Sequence, residues 1–183
     1  MNSKKLITIL IPCYNEQESL PHLYEALCQL MKEHDNYDWE LLFVNDGSKD
    51  NTLGVLEYLY QLDHRVAYID LSRNFGKENA MLAGFDMAHG DAMVIMDADL
   101  QHPPQTVTEM LKYWEEGYDD VYAKRRDRNY ESWPKRKISN LFYYMLDKST
   151  RYDVLRNVGD FRLLDRKCIN ALKKMRETER YTK

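Results

Sequence analysis

Four short, almost wholly apolar runs separated by segments of helical periodicity narrow the possible folds more than any other feature of this chain. Residues 6–12, 39–45, 66–71 and 92–96 are the runs, rich in Leu, Ile, Val and Phe and too short for helices. Between the first two, residues 16–34 carry Leu20, Leu23, Leu27, Leu30 and Met31 at helical spacing. A second helix runs to about residue 62, with Asp50 or Asn51 suited to cap it. Residues 75–89 read as a third, which Gly90 is expected to stop. Another helix follows Pro103-Pro104, and residues 120–123 read as a short strand. Strands that are apolar on both faces and alternate with helices predict an α/β fold. The sheet is expected to be Rossmann-like and mostly parallel, with helices on both faces. A length of 183 residues suits one domain over residues 1–183.

Parallel sheets bind ligands at the carboxyl ends of their strands, and the polar clusters of this chain fall there. Tyr14-Asn15-Glu16 follows the first strand, Asn45-Asp46-Gly47-Ser48 the second and Asp97-Ala98-Asp99 the fourth. Alone, an Asp-x-Asp pair is more often a solvated acidic turn than a site. Here it follows a buried strand, with two other polar loops converging on the same rim. Residues two apart in extended chain share a side, and two adjacent carboxylates call for a cation. A hard divalent ion, Mg2+ or Mn2+, takes such oxygens and leaves positions for phosphate and water. Gln101 is near enough in sequence to add an amide oxygen. Neither the Gly-x-Gly-x-x-Gly fingerprint nor a P-loop is present. A bound diphosphate would therefore be neutralised by metal and by side chains such as Arg73 and Lys77, at the start of the third helix.

The lysines at 4 and 5 and the apolar run after them resemble a signal peptide, but the run is short and no small-residue cleavage site follows. A buried first strand is the expectation. Three widely spaced cysteines fit neither a disulfide framework nor a zinc site. The net charge of −4 hides an asymmetry. Residues 1–123 hold 8 Lys+Arg against 22 Asp+Glu, whereas residues 124–183 hold 18 against 8. The basic third points to an anionic partner. Its densest part, residues 124–137, has seven basic side chains with Tyr130 and Trp133 among them. The stripe Ile138, Leu141, Phe142 and Met145 follows, which could pack on the core or lie at a membrane surface. No nucleic-acid-binding module is visible.

Several ordered motifs carry a family resemblance: Pro12-Cys13-Tyr14-Asn15-Glu16, Asn45-Asp46-Gly47-Ser48, Asn74-Phe75-Gly76-Lys77-Glu78, Asp97-Ala98-Asp99-Leu100-Gln101-His102-Pro103-Pro104 and Gly159-Asp160-Phe161-Arg162. As a set, over about residues 5–170, they resemble the family 2 glycosyltransferases of the GT-A fold. The most similar branch is the polyprenyl-phosphate glycosyltransferases, which include dolichol-phosphate mannose synthases and bactoprenol glucosyltransferases.

The resemblance implies that Pro12, Tyr14, Glu16 and Asp46 line the base and ribose pocket. It makes Asp97 and Asp99 the metal motif with Gln101 as a further ligand, Ala98 lying between them beside the substrate. Asp160, with Asp99, would serve the chemistry near the sugar. Arg125, Arg136 and Ser139 would grip a lipid phosphate. The implied reaction is inverting hexosyl transfer from a nucleotide sugar, UDP-linked by preference, to a polyprenyl phosphate, with Mg2+ or Mn2+. The work would be done on the cytoplasmic face of the cell membrane. Members of this branch commonly continue into an apolar helical hairpin, whereas here a polar, basic segment ends the sequence. The expectation is a catalytic domain without that membrane segment.

Overall fold

The computed structural model describes residues 4–124 and 158–174. In chain order they form β1 (Lys5–Cys13), α1 (Ser19–Glu33), β2 (Tyr37–Asn45), α2 (Thr52–Leu62), β3 (Val66–Asp70) and α3 (Lys77–Met87). There follow β4 (Ala92–Ile95), α4 (Thr106–Glu115), β5 (Asp120–Lys124), β6 (Val158–Asp165) and α5 (Arg166–Lys174). The strands build one six-stranded sheet in the order β3-β2-β1-β4-β6-β5. β1 runs parallel to β2 and β4, and β2 parallel to β3. β6 alone is reversed, lying antiparallel to both β4 and β5. The mixed α/β fold and the mostly parallel sheet are as the sequence predicts; the reversed strand is not visible in it.

Side chains along β1 alternate between two cores, as the two-residue period of a strand requires. Ile7, Ile9 and Ile11 pack with the apolar stripes of α1, α2 and α4 on one face. Leu10 packs with Leu42, Val44, Met81 and Phe85 on the other, against α3 and α5. These residues are almost completely buried, so the run at 6–12 is a core strand. Helix α3 can lie close to β1 because Gly84 has no side chain; a Cβ there would run into Leu10. None of the helices among the described residues is long and apolar enough to cross a membrane. Cys13, Cys28 and Cys168 are all free thiols.

Two expectations at helix ends are corrected. α3 begins at Lys77 rather than residue 75, because the backbone N–H groups of Phe75 and Gly76 are turned onto the Asp46 carboxylate. It ends at Met87, with Ala88 following in extended conformation. Gly90 therefore does not stop the helix. It sits where a Cβ would meet the backbone of Thr8 and Ala92, and its N–H donates to Thr8 Oγ1 at 2.9 Å.

Candidate active site

The loops after β1, β2 and β4 meet at the carboxyl end of the sheet, around a cavity of about 280 Å³. The first two loops are stitched to each other by reciprocal hydrogen bonds. Asn15, in left-handed conformation at φ 57°, donates its N–H to Ser48 Oγ and accepts the Lys49 N–H. Glu16 donates its N–H to Thr52 Oγ1 at 2.8 Å, and Gln17 donates to Asp50. The Asp50 carboxylate also accepts the Thr52 N–H and hydroxyl. Burial would raise its pKa, yet these bonds outweigh it and hold the group below the usual carboxylate range.

Asp46, almost fully buried, fixes the third motif. Its two carboxylate oxygens accept the N–H groups of Phe75 at 2.7 Å and Gly76 at 2.9 Å. Gly47 beside it has φ +65°, and a Cβ there would collide with the Arg73 backbone. Only glycine serves where both the left-handed turn and this close approach are needed. Residues 73–77 are thereby pressed against the β2 rim, which presents Lys77 to the cavity.

Asp97 and Asp99 both line the cavity, with Ala98 buried between them. The reason differs from the one expected. β4 ends at Ile95, and both aspartates lie beyond it in a turn that continues through Leu100 at φ 58°. A left-handed leucine is rare and costly. The Gln101 N–H donates to Asp99 Oδ1 at 3.0 Å. The His102 ring stacks on Phe161, with centroids 4.8 Å apart, which ties this turn to β6.

β6 delivers the third carboxylate. Its antiparallel register with β4 pairs Ile95 with Arg162, and two residues further along that register Asp160 falls opposite Asp97. Lys77 bridges the two: its ammonium donates to Asp160 Oδ2 at 2.8 Å and more closely still to Asp97 Oδ1. Burial works against the charged lysine, but the bonds to Asp160 and Asp97 prevail and raise its pKa.

Pro12, Tyr14, Glu16, Asp46, Lys77, Asp97, Ala98 and Asp99 thus surround one cavity. Asp160 reaches it through Lys77. Arg73 is exposed, its guanidinium 4.7 Å over the Phe75 ring, outside the cavity wall. Arg125, Arg136, Ser139 and the apolar stripe after them lie outside the described residues. Cys13, Asn74 and Gly76 also line the cavity. They were not singled out in the sequence, although each sits inside a motif that was. Cys13 is no nucleophile: it is buried, burial pushes its thiol pKa well up, and the thiol donates to the Ile11 carbonyl.

The donor set suits a divalent cation of the Mg2+ or Mn2+ type. Among the described residues there is no group of three or more His, Cys, Asp or Glu side chains able to enclose a metal. Such ions are commonly held by one or two carboxylates, with phosphate oxygens and water completing the shell. Asp97 and Asp99 on the wall of an open cavity supply that much.

Comparison with known proteins agrees with the motifs. The profile of Glycosyl transferase family 2 matches residues 8–172. An uncharacterized glycosyltransferase of Synechocystis is 44% identical over 177 residues, covering 97% of this chain and 55% of that protein. A prophage bactoprenol glucosyl transferase homolog of Escherichia coli is 38% identical over 177 residues, covering 97% and 58%. The chain spans a little over half the length of these curated relatives. A solved mannosyltransferase of Pyrobaculum calidifontis, in complex with GDP-Man and Mn2+, superposes with a TM-score of 0.65 at 18% identity, covering 93% of this chain and 47% of that one. That likeness gives the fold, which is GT-A. On the profile match and the identity to these relatives together, this chain belongs to glycosyl transferase family 2.

Proposed function

We propose that residues 1–183 form the catalytic domain of an inverting glycosyltransferase. It moves a hexose from a nucleoside-diphosphate sugar, with UDP favoured, to a polyprenyl phosphate at the inner face of the cell membrane. The observation that carries this reading is the convergence of Asp97, Asp99 and Lys77 on one cavity at the strand ends, with Asp160 joined to it. The relative named as a bactoprenol glucosyl transferase homolog supports a lipid phosphate as acceptor. The basic segment holding Arg125, Arg136 and Ser139 supports an anionic acceptor by its charge alone.

Each residue then has a task. Pro12, Tyr14 and Glu16 flank the nucleoside end of the donor. Asp46 works through the loop it holds, keeping Gly76 and Lys77 at the cavity. Asp97 and Asp99 would hold the divalent cation, with Gln101 as a further oxygen donor, and the chemistry it would supply there is Lewis-acid stabilisation of the leaving diphosphate. Lys77 adds a positive charge beside the same oxygens. A phosphate monoester is largely dianionic near neutral pH and needs no base to remove a proton. Asp160 therefore orients the sugar or the acceptor rather than taking a proton. A single in-line displacement inverts the anomeric carbon.

The test is incubation of the protein with UDP- or GDP-sugars, polyprenyl phosphate and Mg2+ or Mn2+. Sugar on the lipid phosphate with inverted configuration is the expected result. Transfer to a saccharide hydroxyl would replace the acceptor and make Asp160 the base. Binding of donor with no transfer to any acceptor would reduce the chain to a nucleotide-sugar-binding module.

A further inference from the structure

Lys77 does something in this structure that neutralising a diphosphate does not explain. Its ammonium lies between Asp97, in the turn after β4, and Asp160, on β6, carboxylates about sixty residues apart in sequence. The Asp160 side chain is only 12% exposed. Two carboxylates so placed repel each other and lose solvation unless a cation joins them. The ammonium is that cation here.

Its attachment to the fold allows it to leave. The backbone at residues 75–76 is clamped by Asp46, so Lys77 starts from a fixed point. Its side chain is long, 38% exposed and already part of the cavity wall, so the ammonium has open space beside the two carboxylates. The oxygen it occupies most closely, Asp97 Oδ1, belongs to a carboxylate that a hard divalent ion would also need. An ammonium and a metal ion cannot share that oxygen closely without strong repulsion.

We propose that Lys77 is an exchangeable internal cation. In the donor-free protein it stands in for the divalent ion, holding Asp97 and Asp160 together. It releases Asp97 when the ion and a nucleoside diphosphate enter. The released ammonium then finds the diphosphate, whose negative charge arrives in the same cavity. This rests on the reading of Asp97 as a cation ligand. Its consequence is thermodynamic: the ion alone must displace Lys77 and binds weakly, whereas the nucleotide repays the displaced lysine. Ion and nucleotide thus favour each other, reciprocally. Lys77 is in this sense a positioning residue acting through Asp97.

The experiment is calorimetric titration of Mn2+ into the protein alone, and into the protein saturated with UDP or, in parallel, GDP. It compares the wild type with K77M and with R73M. R73M removes a nearby positive charge that contacts neither aspartate. For the wild type, nucleotide should tighten Mn2+ by about tenfold or more. K77M should bind Mn2+ alone about fivefold tighter than the wild type, and the tightening by nucleotide should shrink. R73M should bind Mn2+ alone as the wild type does. Without metal K77M should melt lower than the wild type, and Mn2+ should raise its melting temperature by more. If K77M binds Mn2+ alone no tighter, or R73M gains as much, the exchange is wrong while the cation site stands. If no protein binds Mn2+ with or without either nucleotide, both fall.

Discussion

The two ends of the sheet use buried charge in opposite ways. At the amino end of the strands, polar groups close on one another. Thr8 donates its hydroxyl to Glu40 at 2.5 Å and accepts the Gly90 N–H, while His89 bonds Glu40 through both its backbone and its ring. Burial would raise the Glu40 pKa, but the bonds from Thr8 and His89 lower it overall. Asp63 is grasped by Arg65 at 2.7 Å and by the Tyr24 hydroxyl at 2.9 Å. At the carboxyl end Asp97, Asp99 and Lys77 line open space, with Asp160 of β6 joined to them through Lys77 and the rim loops using left-handed Asn15 and Leu100. Closed networks serve stability, whereas partly open ones keep charge available to a ligand.

Substitutions at the two ends should therefore fail differently. The largest effect is expected from Asp97→Asn, which should lower sugar transfer by about 10³-fold with little change in unfolding free energy. Radiolabel transfer and urea denaturation measured on the same preparation check both halves. A large loss of stability with residual transfer would erase the distinction between the ends.

Asp63→Asn should do the reverse, costing about 2 kcal/mol at pH 7 with donor binding retained. Arg65 chiefly holds the Asp63 carboxyl down to about 2. A depressed pKa stabilises the fold above the unfolded value near 4. That contribution is lost as pH falls through about 2. The gap between wild type and variant should accordingly close between about pH 4 and pH 2 in denaturation curves. A gap independent of pH over that interval would mean that Asp63 acts through packing.

Thr8→Val comes next. It leaves the buried Gly90 N–H without its acceptor, at about 1–2 kcal/mol, and should leave the Mn2+ affinity unchanged. Calorimetry and thermal melting on one sample decide it. The smallest effect is expected from His102→Ala, which removes a stacked pair worth about 1 kcal/mol. Because that stack joins the Asp97–Asp99 turn to β6, the loss should appear more in nucleotide and Mn2+ affinity than in melting temperature. A change confined to melting would move His102 to the structural side of the comparison.

Much of the fold was legible because it depends on short-range pattern. The strand at residues 5–13 and the helix carrying Leu20 to Met31 announce themselves by burial period, which sequence displays directly. The polar clusters after β1, β2 and β4 are legible as loops that meet around one cavity, since a parallel sheet directs them to one rim. The end of α3 is not legible in the sequence because Gly90 serves a close approach to Thr8, and proximity of that kind leaves no local signal. The role of Gly47 was likewise hidden, since it answers to Arg73, a residue distant in sequence.

The sequence by itself determined the α/β class, the strand-end loops, the Asp97–Asp99 pair and the family whose motifs these are. What only the tertiary structure decided is the partner of that pair. Asp160 meets Asp97 because β6 enters between β4 and β5 in reverse, and Lys77 joins them because Asp46 pins its loop from across the rim. Strand order and register are set by which apolar faces pack together over long separations, a balance summed over the whole core that no local stretch of residues records.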